Sequence, residues 1–307
     1  MAVSSSGRWI SSVVGADFET VRANVEVRLD DICTTYLPGL PAPIGDAIRY
    51  GLKSPGKRLR PLLLLFAYRA AGGTRDAAML ACAPELIHAY SLMHDDLPCM
   101  DDDDIRRGRP TVHKVYSART AILAGVAMIP LAARVVRDSA RAMELPDQTT
   151  TRVLDTLLEA SGAGGMIGGQ LRDLTGEGLA LSLDELEAIH SAKTGAIIVA
   201  SVRMGGVAAE LDATGIAALE HYGRSIGLAF QIMDDVLDVT STTKAMGKTT
   251  GRDAVLGKST YPALLGVDGA RRKAQALIED ALSGLADHDL LTQELSQVAN
   301  FMVTRTS

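Results

Sequence analysis

The spacing of apolar residues limits the fold of this chain more than any other feature. They return every three or four positions in ten stretches, roughly 18–34, 41–53, 59–71, 75–96, 112–144, 147–173, 183–209, 212–240, 259–285 and 288–305. That period marks amphipathic helix, and no stretch shows the alternation of a half-buried strand next to a hairpin turn. Several stretches are apolar nearly all round, as helices inside a large core are. Turn chemistry separates them: Ser54-Pro55-Gly56, Gly72-Gly73, Leu145-Pro146-Asp147 and Gly176 to Gly178. Ser182 with Glu185 three residues on predicts a capping box. With 307 residues, 47% hydrophobic, there is material for a sizeable core, and no low-complexity linker divides it. The expectation is one all-α domain over 1–307, with 1–40 as an N-terminal extension and first helix.

Other classes are disfavoured. Phosphate loops of the GxGxxG or GxxxxGK[ST] kind are missing from the sequence. A net charge of −6 gives no reason to expect a nucleic-acid partner. Cys33, Cys82 and Cys99 form no CxxC pair, so reduced thiols are expected. The apolar run 121–133 is too short for a bilayer and contains Pro130, and the first residues lack the apolar stretch of a signal peptide. A cytoplasmic protein without a membrane span is the expectation.

Charge is concentrated in two places. HDDLPCMDDDDIRRGR, residues 94–109, holds six aspartates within ten positions. Alone, such a run reads as a solvated face. A second cluster, QIMDDVLDVT (231–240), lies in an apolar helix, where Asp234 and Asp238 stack one turn apart, roughly 5–6 Å. In the first cluster Pro98 must end or distort the helix, so Leu97 to Met100 can bulge and return Asp101 towards Asp95. Both then offer Asp-Asp-spacer-Asp. Carboxylates without His or Cys select a hard cation, Mg²⁺ or Mn²⁺, and magnesium is usually completed by substrate phosphates. The cations Lys57, Arg58, Arg60, Arg106, Arg107, Arg109, Lys193, Lys248 and Lys258 make sense together if the ligand is a diphosphate. His88 reads equally as a core histidine or a ligand.

GKRLRP, IHAYSLMHDDLPCMDDDDIRRGRPT, GGQLRD, KTGA, FQIMDDVLD and LGKSTYPALLG resemble, in order and spacing, the trans-isoprenyl diphosphate synthases, most strongly the bacterial farnesyl diphosphate synthases. The resemblance runs from about residue 45 to the C-terminus. It implies an all-helical fold, a homodimer, and condensation of an allylic diphosphate with isopentenyl diphosphate using three Mg²⁺. By motif, Asp95 and Asp101 would bind two ions and Asp234 the third. Asp96, Asp235 and Asp238 would be supporting ligands or hold ligating waters, with Gln170 and Asp173 behind them. Arg106, Lys193 and Lys248 would grip the allylic diphosphate. Lys57, Arg60, His88 and Arg107 would hold isopentenyl diphosphate, and Lys258 would close over the site. Thr194 and Gln231 would place oxygen dipoles near the developing cation.

Tyr90 lies five positions before Asp95, roughly 7–8 Å deeper along its helix. By the same resemblance its ring would stop the growing chain at fifteen carbons, which Ser91 is too small to do. Geranylgeranyl diphosphate is the alternative product. The resemblance also implies an aspartate after Gly125, where this chain has Val126, and the nearby Pro130 predicts a kink. A terpene cyclase would not need GKRLRP for a second diphosphate, and a regulatory subunit would be expected to lose an aspartate cluster.

Overall fold

The computed structural model describes residues 16–240 and 259–305. Thirteen α-helices account for most of the described residues: α1 Ala16–Thr35, α2 Ala42–Leu52, α3 Leu59–Ala70, α4 Ala78–Asp95, α5 Val112–Val115, α6 Ala118–Ala142, α7 Asp147–Ser161, α8 Met166–Thr175, α9 Leu183–His190, α10 Ala196–Ala208, α11 Ala213–Thr240, α12 Tyr261–Ala286 and α13 Gln293–Thr304. The all-α expectation is borne out.

Four expected helices are interrupted. The stretch 112–144 breaks at Tyr116–Ser117, where the Ser117 hydroxyl accepts the Thr120 N–H at 3.0 Å and starts α6. The stretch 147–173 breaks at the glycines before Met166. The stretch 183–209 is helical throughout but passes through a π turn, Ser191–Gly195. α6 continues through Pro130 as a single element. The Ser182–Glu185 capping box is present. In α12, Gly266 at φ +70 breaks the helical path near the start, a conformation that favours glycine.

Contacts group the chain into two compact units. One is built from the segments up to Leu65 and Thr74–Leu154. Here α4 packs along α6 and against α1, and α2 also packs on α6. α4 is buried almost all round, with Leu80, Leu86 and Ile87 wholly enclosed. Each such side chain contributes about 1.5–3 kcal/mol by leaving water. α6 is long and apolar enough to cross a bilayer, but it carries a buried stripe (Ala121, Ala124, Met128, Val135) and charged residues, as a core helix does.

The other unit comprises Phe66–Gly73 and Asp155 onwards. α11 packs against α10, α12 and α13, and α8 lies on the π turn. Tyr222 anchors this unit, its hydroxyl donating to the Leu295 carbonyl at 2.7 Å.

Candidate active site

The first aspartate cluster begins where α4 ends. Pro98 has no N–H to continue the helix, and the backbone turns back on itself. The Asp101 N–H donates to the Asp95 carbonyl at 2.9 Å, and the Asp103 N–H to the Asp96 carbonyl at 3.2 Å. The bulge expected from the sequence is therefore present, and it brings Asp101 next to Asp95.

A two-stranded hairpin follows, β1 Ile105–Arg106 and β2 Arg109–Pro110. Arg107 (φ +53) and Gly108 (φ +73) form its turn, both left-handed as a type I′ turn requires. Such short strands and an Arg-Gly turn gave no hairpin signal in the sequence. The hairpin is clamped to the end of α2. Tyr50 donates to the Pro110 carbonyl at 2.7 Å, and the Arg109 guanidinium lies 4.2 Å from the Tyr50 ring centroid. Arg107 donates to the Pro55 carbonyl at 2.5 Å. Gly56 makes this possible, since a Cβ there would stand 2.7 Å from the Arg107 Nη1.

A cleft results, lined by Arg58, Glu85, His88, Asp96, Arg106 and Arg107. Burial pushes His88 well below the usual imidazole range, and Arg60, Arg107, Arg106 and Arg58 push it further, so it is neutral at pH 7. Burial also lowers Arg60, to about 10, with Glu85 opposing and Arg107 assisting. The Arg60 Nε is buried and lacks a hydrogen-bond partner. Crowded cations with an unsatisfied donor suit a polyanionic ligand.

Asp96 is buried and holds the Arg106 Nε at 2.5 Å. Burial raises its carboxyl to about 6 against the pull of Arg106. Its carboxylate is thus engaged in orienting a cation. Tyr90 is buried, edge-on to the His94 ring with centroids 4.8 Å apart. The His94 Nε2 is 3.1 Å from the Ile122 carbonyl, and a Cβ on Gly125 would stand 2.2 Å from that nitrogen. Gly125 therefore lets the His94 ring lie against α6. The Ser91 hydroxyl is turned back to the His88 carbonyl at 3.0 Å. Val126 is 52% exposed, beside exposed Ile122 and Leu123.

In the other unit, α8 carries Gln170 and Asp173. Gly169 allows α8 to touch the π turn, since a Cβ there would lie 2.2 Å from the Lys193 backbone nitrogen. π turns are frequent at functional sites, and this one holds Lys193 and Thr194. Lys193 pairs with Asp173 at 2.5 Å. The Thr194 hydroxyl donates to the Gln231 Oε1 at 3.3 Å, and the Gln231 Nε2 to the Asp235 Oδ1 at 3.3 Å. The other Asp235 oxygen accepts the Tyr261 N–H at 3.1 Å, at the first turn of α12. Asp235 and Asp238 are buried, whereas Asp234 is partly exposed and pairs with Arg305 at 2.8 Å. Lys248 and Lys258 lie outside the described residues.

Each unit offers donors that suit a hard divalent cation, Asp95 and Asp101 in one and Asp234 in the other. Asp95, Asp101 and Asp234 each retain access to solvent and supply oxygen alone. Gln170 has both amide ends buried without a partner, as suits a group whose partner is a metal-bound water.

The polyprenyl synthetase family model matches residues 41–298. The chain belongs to the polyprenyl synthetase family. Among its relatives, the farnesyl diphosphate synthase of Escherichia coli (strain K12) is 46% identical over 276 residues, covering 88% of this chain and 91% of the relative. A chloroplastic geranylgeranyl pyrophosphate synthase of Catharanthus roseus is 43% identical over 251 residues, 81% of this chain and 70% of the relative. A geranyltransferase from Helicobacter pylori, solved with magnesium and isoprenyl diphosphate, superposes with a TM-score of 0.79 at 30% identity, covering 94% of this chain and 97% of that one.

Sequence reasoning missed four residues that this family member places at or beside the candidate sites. Glu85 is the buried anion beside Arg58. His94 backs Tyr90, and Arg305 holds Asp234. His113 is buried, with a ring nitrogen and the carboxylates of Asp102 and Asp104 all within 4.8 Å of one another. Asp104 there is already paired with Lys114 at 2.7 Å. The i,i+3 spacing of Glu85 and His88 was the available signal for Glu85. The other three depend on tertiary contacts between distant segments.

Proposed function

We propose that this chain is a short-chain prenyltransferase that condenses dimethylallyl and geranyl diphosphate with isopentenyl diphosphate to make farnesyl diphosphate. The observation that carries this reading is the cleft in which His88, Arg106 and Arg107 gather beside the Asp95–Asp101 turn. Arg60, whose Nε lacks a partner, belongs to the same cation cluster. A binding site for one diphosphate thus lies next to carboxylates suited to a second, metal-held one.

In this reading Lys57, Arg60, His88 and Arg107 hold isopentenyl diphosphate, and neutral His88 adds a hydrogen bond without another charge. Arg106, oriented by Asp96, and Lys193, oriented by Asp173, grip the allylic diphosphate together with Lys248. Asp95, Asp101 and Asp234 would hold Mg²⁺, three ions in all and replaceable by Mn²⁺, which would neutralise the charge of the departing diphosphate. Asp235 and Asp238 sit behind Asp234, the former fixing Gln231. Thr194 and Gln231 turn oxygen dipoles towards the allylic cation. The isopentenyl double bond attacks C1 of that cation. The proton lost from the new C–C unit goes to the released diphosphate, so no side-chain base is required. Water must be kept from the cation, which it would trap as an alcohol. By the resemblance, Lys258 would close over the site.

Tyr90 sets the fifteen-carbon limit in this reading. Geranylgeranyl diphosphate is the second reading, favoured by the 43% identity to a synthase of that product. We also propose a single functional domain over 1–307, a cytoplasmic location, and a homodimer that covers the exposed Ile122, Leu123 and Val126.

Steady-state kinetics on two variants test the proposal. Arg60→Ala should raise the apparent KM for isopentenyl diphosphate far more than that for the primer. Lys193→Ala should do the reverse or lower turnover. Equal effects on both substrates would show that the cations are wrongly divided.

A further inference from the structure

We infer that Arg58, paired with Glu85, is a positioning residue that sets the directions of Lys57, Arg60 and His88 in the isopentenyl diphosphate subsite. The inference rests on the reading of that subsite given above.

Arg58 sits in the middle of the motif GKRLRP but differs from its neighbours. Its side chain is buried, and its backbone is left-handed at φ +52, a conformation that strains a non-glycine residue. Strain of that kind persists where the surroundings over-determine the conformation. Here the guanidinium does so. Its Nε donates to a Glu26 oxygen at 2.8 Å, and its Nη1 to Glu85 at 2.8 Å. Its Nη2 reaches the Leu52 carbonyl at 2.9 Å, the Ser54 carbonyl at 3.0 Å and the second Glu26 oxygen at 3.2 Å. One planar fork thus ties α1, the C-terminal end of α2, the loop after it and α4.

The Leu52 carbonyl closes α2 and belongs to the group a helix leaves without an internal partner. With its donors so occupied, Arg58 has little to offer a phosphate. What it does fix is the path of the chain between Lys57 and Arg60. Glu85 fixes the opposite wall, because His88 lies one turn further along the same face of α4.

Charge balance supports the same role. Glu85 is buried, and its field favours the charged forms of Arg60 and Arg107 as well as Arg58. Three arginines crowd together because this one carboxylate stands among them. A lysine at position 58 would keep the charge but could not span Glu26, Glu85 and two carbonyls at once.

A purely structural ion pair would behave differently from a positioning one. A buried pair can often be replaced by apolar side chains of similar volume without loss of stability. The test therefore uses full-length Arg58→Lys, Arg58→Met/Glu85→Met and Arg60→Ala. For each, the apparent KM for isopentenyl diphosphate, that for the allylic primer and the melting temperature are measured. Arg58→Lys should raise the isopentenyl diphosphate KM about tenfold or more, leaving the primer KM within about twofold. The double variant, in which Glu26 and the Leu52 and Ser54 carbonyls also lose their donor, should fold with a lowered melting temperature and keep the raised KM. A folded double variant with wild-type KM would overturn the inference, as would an equal rise in both KM values. If Arg60→Ala raises the KM and folded Arg58→Lys does not, positioning by Arg58 fails while the subsite stands. If Arg60→Ala has no effect, the subsite reading itself fails, and the inference with it.

Discussion

Arg305, one residue beyond α13, reaches back to α11 and holds Asp234 at 2.8 Å. The same guanidinium donates to the Phe230 carbonyl at 2.6 Å and stacks on the Phe230 ring, 3.9 Å from its centroid. The carboxylate proposed for the third cation thus already has a cationic partner, one that is almost wholly buried while Asp234 is partly exposed. A metal at Asp234 must share the carboxylate with Arg305 or displace it.

Arg305→Gln should therefore strengthen metal binding at this aspartate. The Mg²⁺ concentration for half-maximal turnover should fall several-fold at saturating substrates, since a competing charge is removed. A Mg²⁺ titration of turnover in both proteins checks this. An unchanged midpoint counts against competition.

Both aspartate clusters should be needed for turnover. Asp95→Ala and Asp234→Ala should each lose several orders of magnitude in turnover, and EDTA should abolish wild-type activity. Circular dichroism should show both variants folded. Near-normal turnover in either would remove that residue from the metal set.

Tyr90 gives a prediction read from product rather than rate. Tyr90→Ala should lengthen the main product by at least one isoprene unit, because it opens the wall formed by the Tyr90 and His94 rings. Chromatography of the dephosphorylated alcohols decides the matter. A fifteen-carbon alcohol from the variant would clear Tyr90 of this role, and a twenty-carbon alcohol from the wild type would shift the assignment to geranylgeranyl diphosphate.

His88 links the cleft to pH. Its folded-state pKa lies well below the ordinary value of 6.5, owing first to burial and then to Arg60, Arg107, Arg106 and Arg58. Between those two values the unfolded chain binds more protons, so stability falls as the pH drops below about 6.5. Urea midpoints from pH 7 to pH 5 should decline more steeply for the wild type than for His88→Gln. Parallel declines would mean that His88 is not the titrating group.

Most helix positions follow from apolar spacing, because a buried stripe needs it wherever a helix packs. α4 and α11 were readable for that reason, as was the return of Asp101 after Pro98. Interruptions inside a periodic stretch were not. An extra residue in the π turn leaves the apolar pattern nearly intact, and two-residue strands are too short to show any alternation. The candidate residues were readable because their charges sit where an apolar helix ends or within one. Their partners were less so: nothing in the local sequence ties Asp234 to a residue 71 positions later, or Arg58 to Glu26.

The π turn at Ser191–Gly195 also sets the phase of the helix that follows. One added residue turns everything downstream by about 100° relative to an unbroken α-helix. α10 is buried on nearly every side, so its large and small residues must meet their neighbours at the right angular setting. Deleting a single residue such as Ala192 would shift Lys193 and Thr194 and, by the same rotation, mis-seat α10 against α11. The chemistry and the core are geared to one another through that turn, so the helix cannot be regularised without unmeshing both.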